Sequence, residues 1–162
     1  MKIEKIRLYN FMRYKGEMEI NFSCDDEKNV TVILGDNTFG KTTIAQAFRW
    51  GLYGRVKTTN YTENIKDIVL LNREVISGMS YSKTETVRVE IFVWDNGKKY
   101  EIVRSQEFRK NTSDENNYSV KPEKANLLVR IDGKEQKSKH SDYQSIINEL
   151  FPENLSDYLF FD

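Results

Sequence analysis

Apolar and polar positions alternate over Met18, Ile20 and Phe22, with Glu19 and Asn21 between them, which predicts a half-buried strand over 18–22. A partner strand over 3–9 and the Lys15-Gly16 break between the two predict a hairpin. Val30-Thr31-Val32-Ile33-Leu34 is different, a short β-branched run that fits a strand buried on both faces of a mostly parallel sheet. From Thr42 to Tyr53 the period changes. Ile44, Ala45, Phe48 and Leu52 fall on one helical face, and Gly54 stands where a left-handed C-terminal cap is expected. A short helix is expected over Asn64 to Asn72. Val87, Val89, Ile91 and Val93 then alternate cleanly, Asp95-Asn96-Gly97 reads as a hairpin turn, and Lys99 to Arg104 as the returning strand. Residues 105–126 read as a polar loop, and Leu127 to Ile131 as a strand turned by Asp132-Gly133. A helix capped by Ser141 or Asp142 should run to Leu150 and stop before Pro152. The chain closes on Tyr158-Leu159-Phe160-Phe161-Asp162, an apolar run resembling a buried strand. Domain boundaries prefer exposed polar segments, so the domain is expected to continue beyond it.

Composition narrows the class. With 162 residues and 38% hydrophobic positions the chain can build one real core. Lys plus Arg and Asp plus Glu both number 25, so no strongly basic domain announces nucleic acid by charge alone. No apolar run exceeds four residues, as at Ile68–Leu71, against about 20 for a membrane span. The N-terminus carries no secretory core, and Cys24 is the single cysteine, so a cytoplasmic setting without disulfides is expected.

The chemistry lies in Gly35-Asp36-Asn37-Thr38-Phe39-Gly40-Lys41-Thr42, which meets every fixed position of G-x-x-x-x-G-K-[ST]. Chance supplies such a match in fewer than about one in a hundred chains this long. The expected setting, a strand before and an amphipathic helix after, is what phosphate binding needs. Successive backbone N–H groups line a concavity and the helix N-terminus adds its positive dipole end. Lys41 would bridge the β- and γ-phosphates of ATP and the Thr42 hydroxyl would hold Mg²⁺. The predicted phosphate-binding set is Asp36, Asn37, Thr38, Phe39, Gly40, Lys41, Thr42 and Thr43. No later segment reads as four apolar residues followed by Asp-Glu, and no second glycine-rich signature occurs. No residue of the chain is therefore assigned to catalysis.

Lys5-Ile6-Arg7-Leu8-Tyr9-Asn10-Phe11 with Tyr14-Lys15-Gly16, the loop Asn37-x-x-Gly40-Lys41-Thr42-Thr43 and Leu52-Tyr53-Gly54 resemble the N-terminal lobe of SMC-like ABC ATPase heads. Such heads include ATPases of double-strand-break repair. Leu150-Phe151-Pro152-x-x-Leu155-Ser156 and Phe160-Phe161-Asp162 are most similar to the DndD-type ATPases of DNA phosphorothioation. Thr38 and Phe39 depart from the family's glycine and small residue, and Asp162 stands where many heads carry glutamine.

The resemblance implies an α/β P-loop lobe over 1–162, with a mixed sheet, a core around 30–54 and antiparallel hairpins around 3–22 and 87–131. A coiled coil and a C-terminal lobe would follow. It implies that Arg13 reaches the nucleotide and that Asp162 joins Thr42 at the metal. It further implies ATP hydrolysis only after completion by the C-terminal lobe and a second head, with duplex DNA bound by the completed dimer. Residues 95–140 hold 11 basic and 8 acidic side chains. A solvated surface is the default there; a DNA-facing patch including Arg104, Arg109, Lys110, Lys121, Lys124, Lys134 and Lys137 is the alternative, with Arg104, Arg109 and Lys110 the trio whose charge reversal should weaken DNA retention. Two other functions fit the loop, a non-catalytic nucleotide-sensing assembly module and a small P-loop kinase.

Overall fold

In a computed structural model, the described residues are 1–36, 40–57, 69–114, 117–136 and 140–156. They form β1 (Lys2–Tyr9), β2 (Glu17–Asn21), α1 (Lys41–Tyr53), α2 (Arg73–Gly78), β3 (Thr84–Asp95), β4 (Lys98–Lys110), β5 (Val120–Pro122), β6 (Asn126–Ile131), β7 (Lys134–Glu135) and α3 (His140–Leu150). The strands make one seven-stranded sheet in the order β2-β1-β3-β4-β6-β7, with β5 paired to the end of β4. Every pairing among them is antiparallel. Two hairpins turn on residues with positive φ, Asn96-Gly97 at 46° and 77° and Asp132-Gly133 at 51° and 74°, the geometry that matches strand twist.

One face of the sheet is dry. Ile6, Leu8, Val87, Val89, Ile91, Val93, Ile102 and Val129 are fully buried there, each worth about 1.5–3 kcal/mol in transfer from water. Helix α1 lies on β3 and β4, and α3 on β6. The helix approaches so closely that a Cβ on Gly51 would lie 2.8 Å from Ile91 Cδ1 and 3.0 Å from Val89 Cγ1. The glycine sets the packing distance. Around α1, Phe11 meets Trp50 and Phe22 meets Phe48 with ring centroids 5.7 and 5.8 Å apart. Burial extends beyond the expected face to Gln46, whose amide exchanges two 2.8 Å hydrogen bonds with the Lys57 backbone.

Four expectations are corrected. Val30 to Leu34 forms no strand, and Val30, Val32 and Leu34 are 78, 72 and 89% exposed. A strand buried on both faces needs hydrogen-bonding neighbours and cover, and no strand of this antiparallel sheet pairs with the run. The mixed sheet that this parallel strand was to create is therefore absent among the described residues.

Second, 105–126 is largely strand, because β4 continues to Lys110 and is met by β5. Third, the expected helix over 64–72 is displaced. Residues 64–68 lie outside the described ones, and Asn72 is the N-cap of α2, accepting from Glu74 N and Val75 N. Fourth, Arg104 and Lys110 are 3% and 1% exposed, which removes them from any DNA-facing surface. Arg109 alone of that trio is exposed, and it pairs with Glu123 at 3.6 Å. The terminal run over 158–161 lies outside the described residues.

Arg104 and Lys110 both have structural work. Arg104 Nε donates to Gly51 O at 3.1 Å, and Nη2 donates to Leu52 O at 3.2 Å and Gln144 Oε1 at 3.0 Å. The guanidinium thus caps the negative end of α1, a helix with no basic residue in its own last turn. Gly54 completes that end in the left-handed conformation, its N–H donating to Trp50 O at 2.8 Å. Lys110 Nζ donates to Ile76 O at 3.1 Å and Asn117 O at 2.7 Å, tying the β4–β5 connection to α2.

Candidate functional site

The motif glycine Gly40 is the N-cap of α1, at φ 89° and without a side-chain cap. The first helical bond runs from Ile44 N to Gly40 O at 3.3 Å, so the amides of Lys41, Thr42 and Thr43 have no intrahelical acceptor. The first turn contains no acidic residue. Nothing in the helix offsets the positive end of its dipole, and a bound anion would. Lys41 and Thr42 are exposed at this end, while Thr43 is buried. The Lys41 ammonium donates back to the Gly35 carbonyl, across the loop that its own motif encloses. Asp36 is exposed beside it. Asn37, Thr38 and Phe39, and Asp162 as a metal ligand, lie outside the described residues.

The turn after β1 is clamped against this helix start. Tyr14 Oη donates to Gly40 O at 3.2 Å, and burial pushes its pKa up, so it stays a neutral donor at pH 7. A Cβ on Gly40 would sit 3.0 Å from that hydroxyl, in a left-handed conformation that disfavours side chains. On its other side the turn is held by residues 70–72. Met12 N donates to Leu70 O at 2.6 Å, Asn72 N to Asn10 O at 2.9 Å, and Asn72 Nδ2 to Met12 O at 2.8 Å. Met12 is kept at φ 49°, a strained value for a long side chain.

Arg13, next to it, is exposed. It lines a cleft of about 670 Å³ together with Thr43, so the structure brings the predicted Arg13 and Thr43 to one opening. The same cleft gathers residues that sequence reasoning missed, among them Arg73 and Tyr118. Tyr14 belongs to the Tyr14-Lys15-Gly16 stretch, whose residue types alone give it no role. The others come from a helix cap and a strand connection far along the chain, and no spacing links them to the motif.

The chemistry available is anion binding. The backbone donors of 41–43 and the exposed Lys41 ammonium stand at the helix start, the Arg13 guanidinium lines the cleft with Thr43, and the Thr42 hydroxyl is an oxygen donor of the kind a hard cation uses beside phosphate. Among the described residues no group of three or more His, Cys, Asp or Glu could hold a metal by itself. Among them, too, no helix is long and apolar enough to cross a membrane.

The family model described as AAA domain matches residues 5–161. The chain belongs to the AAA-domain family. Membership and the α/β build agree on a P-loop NTPase-like fold. The AAA-domain chain is also similar to the DNA replication and repair protein RecF of Clostridium kluyveri, 31% identical over 105 residues. That alignment covers 61% of this chain and 26% of the relative. RecF of Listeria welshimeri and of Listeria innocua are each 30% identical over 104 residues, covering 63% of the chain and 26% of each relative. The matched part of this AAA-domain chain thus spans about a quarter of the length of those relatives. Family and likeness together support the N-terminal lobe of an SMC-like ATPase.

Proposed function

We propose that this chain is the ATP-binding lobe of an SMC-like ATPase acting on DNA, in repair, DNA modification or phage defence, and of the DndD-like kind. The observation that carries the reading is the start of α1, where the amides of residues 41–43, without intrahelical acceptors, stand behind a complete G-x-x-x-x-G-K-T motif. ATP would lie on Asp36 to Thr43 with its phosphates on the helix start, Lys41 and Arg13. Mg²⁺ would take the Thr42 hydroxyl and Asp162, and it supplies charge neutralisation of the phosphates when bound. The likeness to RecF, a protein named for DNA replication and repair, supports the DNA setting.

Hydrolysis belongs to a larger assembly in this reading, with a C-terminal lobe and a second ATPase head. The bare apolar run at Val30, Val32 and Leu34 supports a missing neighbour beside the motif, since such residues gain by acquiring a strand partner. Duplex DNA would be held by the paired heads. One copy has a net charge of zero and neutralises few phosphates.

The test is calorimetric titration of Mg-ATP into the chain and into Lys41→Ala. Loss of one charge-assisted contact, on the order of 1.5–3 kcal/mol, should weaken binding about 10- to 150-fold. Equal affinity in the two proteins overturns the assignment.

A further inference from the structure

The cleft beside the helix start has a wall that phosphate chemistry does not explain. Its lining passes from Thr43 and Arg13 to Arg73 and Tyr118. Tyr118 is 44% exposed, an aromatic ring held at an opening rather than in the core. The Arg73 guanidinium lies over that ring, 5.7 Å from its centroid. A guanidinium over an aromatic ring is a cation–π pair, and two planar groups at one opening can receive a third between or upon them.

The platform is also held in place. Tyr118 follows Asn117, whose carbonyl accepts from the fully buried Lys110 Nζ at 2.7 Å. The same ammonium binds the Ile76 carbonyl of α2 at 3.1 Å, and Arg73 begins that helix. One buried lysine therefore ties the backbone segments that carry both partners of the pair. An apolar core residue would fill the same space without joining the two carbonyls.

We infer that the Arg73–Tyr118 pair is a stacking platform for the base of the nucleotide whose phosphates occupy the helix start, with Lys110 as its positioning residue. The inference rests on the reading of the motif as a phosphate site. The cleft's volume of about 670 Å³ accepts a nucleoside, being within the usual range for small-molecule pockets. Stacking tolerates any aromatic base, so the platform contributes affinity rather than a hydrogen-bonding code.

The experiment compares two probes, Mg-ATP and Mg-tripolyphosphate, the second carrying the phosphate chain without a nucleoside. Calorimetry is run on the unaltered chain, Tyr118→Ala, Tyr118→Phe and Lys41→Ala, each checked for native circular dichroism. Loss of one aromatic stack predicts that Tyr118→Ala weakens Mg-ATP about tenfold while tripolyphosphate binding stays within about twofold. Tyr118→Phe should keep most of the Mg-ATP affinity, and Lys41→Ala should weaken both probes. Tyr118→Ala that leaves Mg-ATP unchanged, or that weakens both probes equally, overturns the platform and leaves the phosphate site standing. An unaltered chain that binds neither probe, or a Lys41→Ala that weakens neither, overturns the phosphate reading and the platform with it.

Discussion

Replacing Arg104 by methionine tests the least expected feature of the fold, a buried cation at the C-terminal end of α1. The substitution removes hydrogen bonds to Gly51 O, Leu52 O and Gln144 Oε1. The Leu52 carbonyl keeps a second donor, Gln144 Nε2 at 2.9 Å, so Gly51 O and Gln144 Oε1 are the acceptors left bare. A buried unsatisfied acceptor costs about 1–3 kcal/mol, and losing a cation at a helix C-terminus up to about 2 kcal/mol. Part of this is offset, because burial already disfavours the charge. Desolvation pulls the Arg104 pKa down to about 10, so the guanidinium remains charged at pH 7 at a cost the variant no longer bears. The balance is a loss of about 2–4 kcal/mol, a large share of the roughly 5–15 kcal/mol that holds a domain together. Urea unfolding followed by far-ultraviolet circular dichroism reads it directly. Arg104→Lys keeps the charge but not the fork and should fall between the two. A loss below about 0.5 kcal/mol in Arg104→Met, the size of an ordinary surface change, would refute the cap.

Three further outcomes follow from the packing and charges. Gly51→Ala should destabilise by about 1 kcal/mol despite the better helix propensity of alanine, because overpacking against Ile91 and Val89 costs about 1–3 kcal/mol; a higher melting temperature contradicts the tight approach. Hydrogen bonds from Arg7 and then Lys5 hold the Glu19 carboxyl at about 2, below the usual 4.5. Its contribution is therefore present above pH 4.5 and fades as pH falls towards 2, and Glu19→Gln should flatten stability over that window. Leu34→Lys should leave unfolding within about 0.5 kcal/mol of the parent and lower binding of a hydrophobic dye, since Leu34 is 89% exposed; a larger destabilisation would mean the run is packed.

Local signals were legible where side chains alternate or cap by type. Val87 to Val93 reads as β3 because every second residue is apolar, and Gly54 reads as a cap because a left-handed end suits glycine. β4 was half hidden for the opposite reason. Its inward positions 102, 104, 108 and 110 are Ile, Arg, Phe and Lys, so polarity hides the pattern at two of the four positions. The run at 30–34 misleads in the other direction. Its composition states a preference for burial, but burial requires neighbours that the sheet does not offer. At the candidate site the motif named Gly40, Lys41 and Thr42 at once, because phosphate binding by a loop and helix start is a local property. The cleft wall is not local. Arg73 and Tyr118 meet only after the sheet brings α2 beside the β4–β5 connection.

Amide chemical shifts test the central claim most directly, since it concerns backbone donors at one helix end. In ¹H–¹⁵N spectra of the labelled chain, saturating Mg-tripolyphosphate should move the amides of Lys41, Thr42 and Thr43 most. Those of α3, such as Ile146 and Ile147, should stay in place, and the pattern should vanish in Lys41→Ala. Shifts spread evenly over exposed lysines, with the amides of 41–43 unmoved, would contradict a phosphate site at the start of α1.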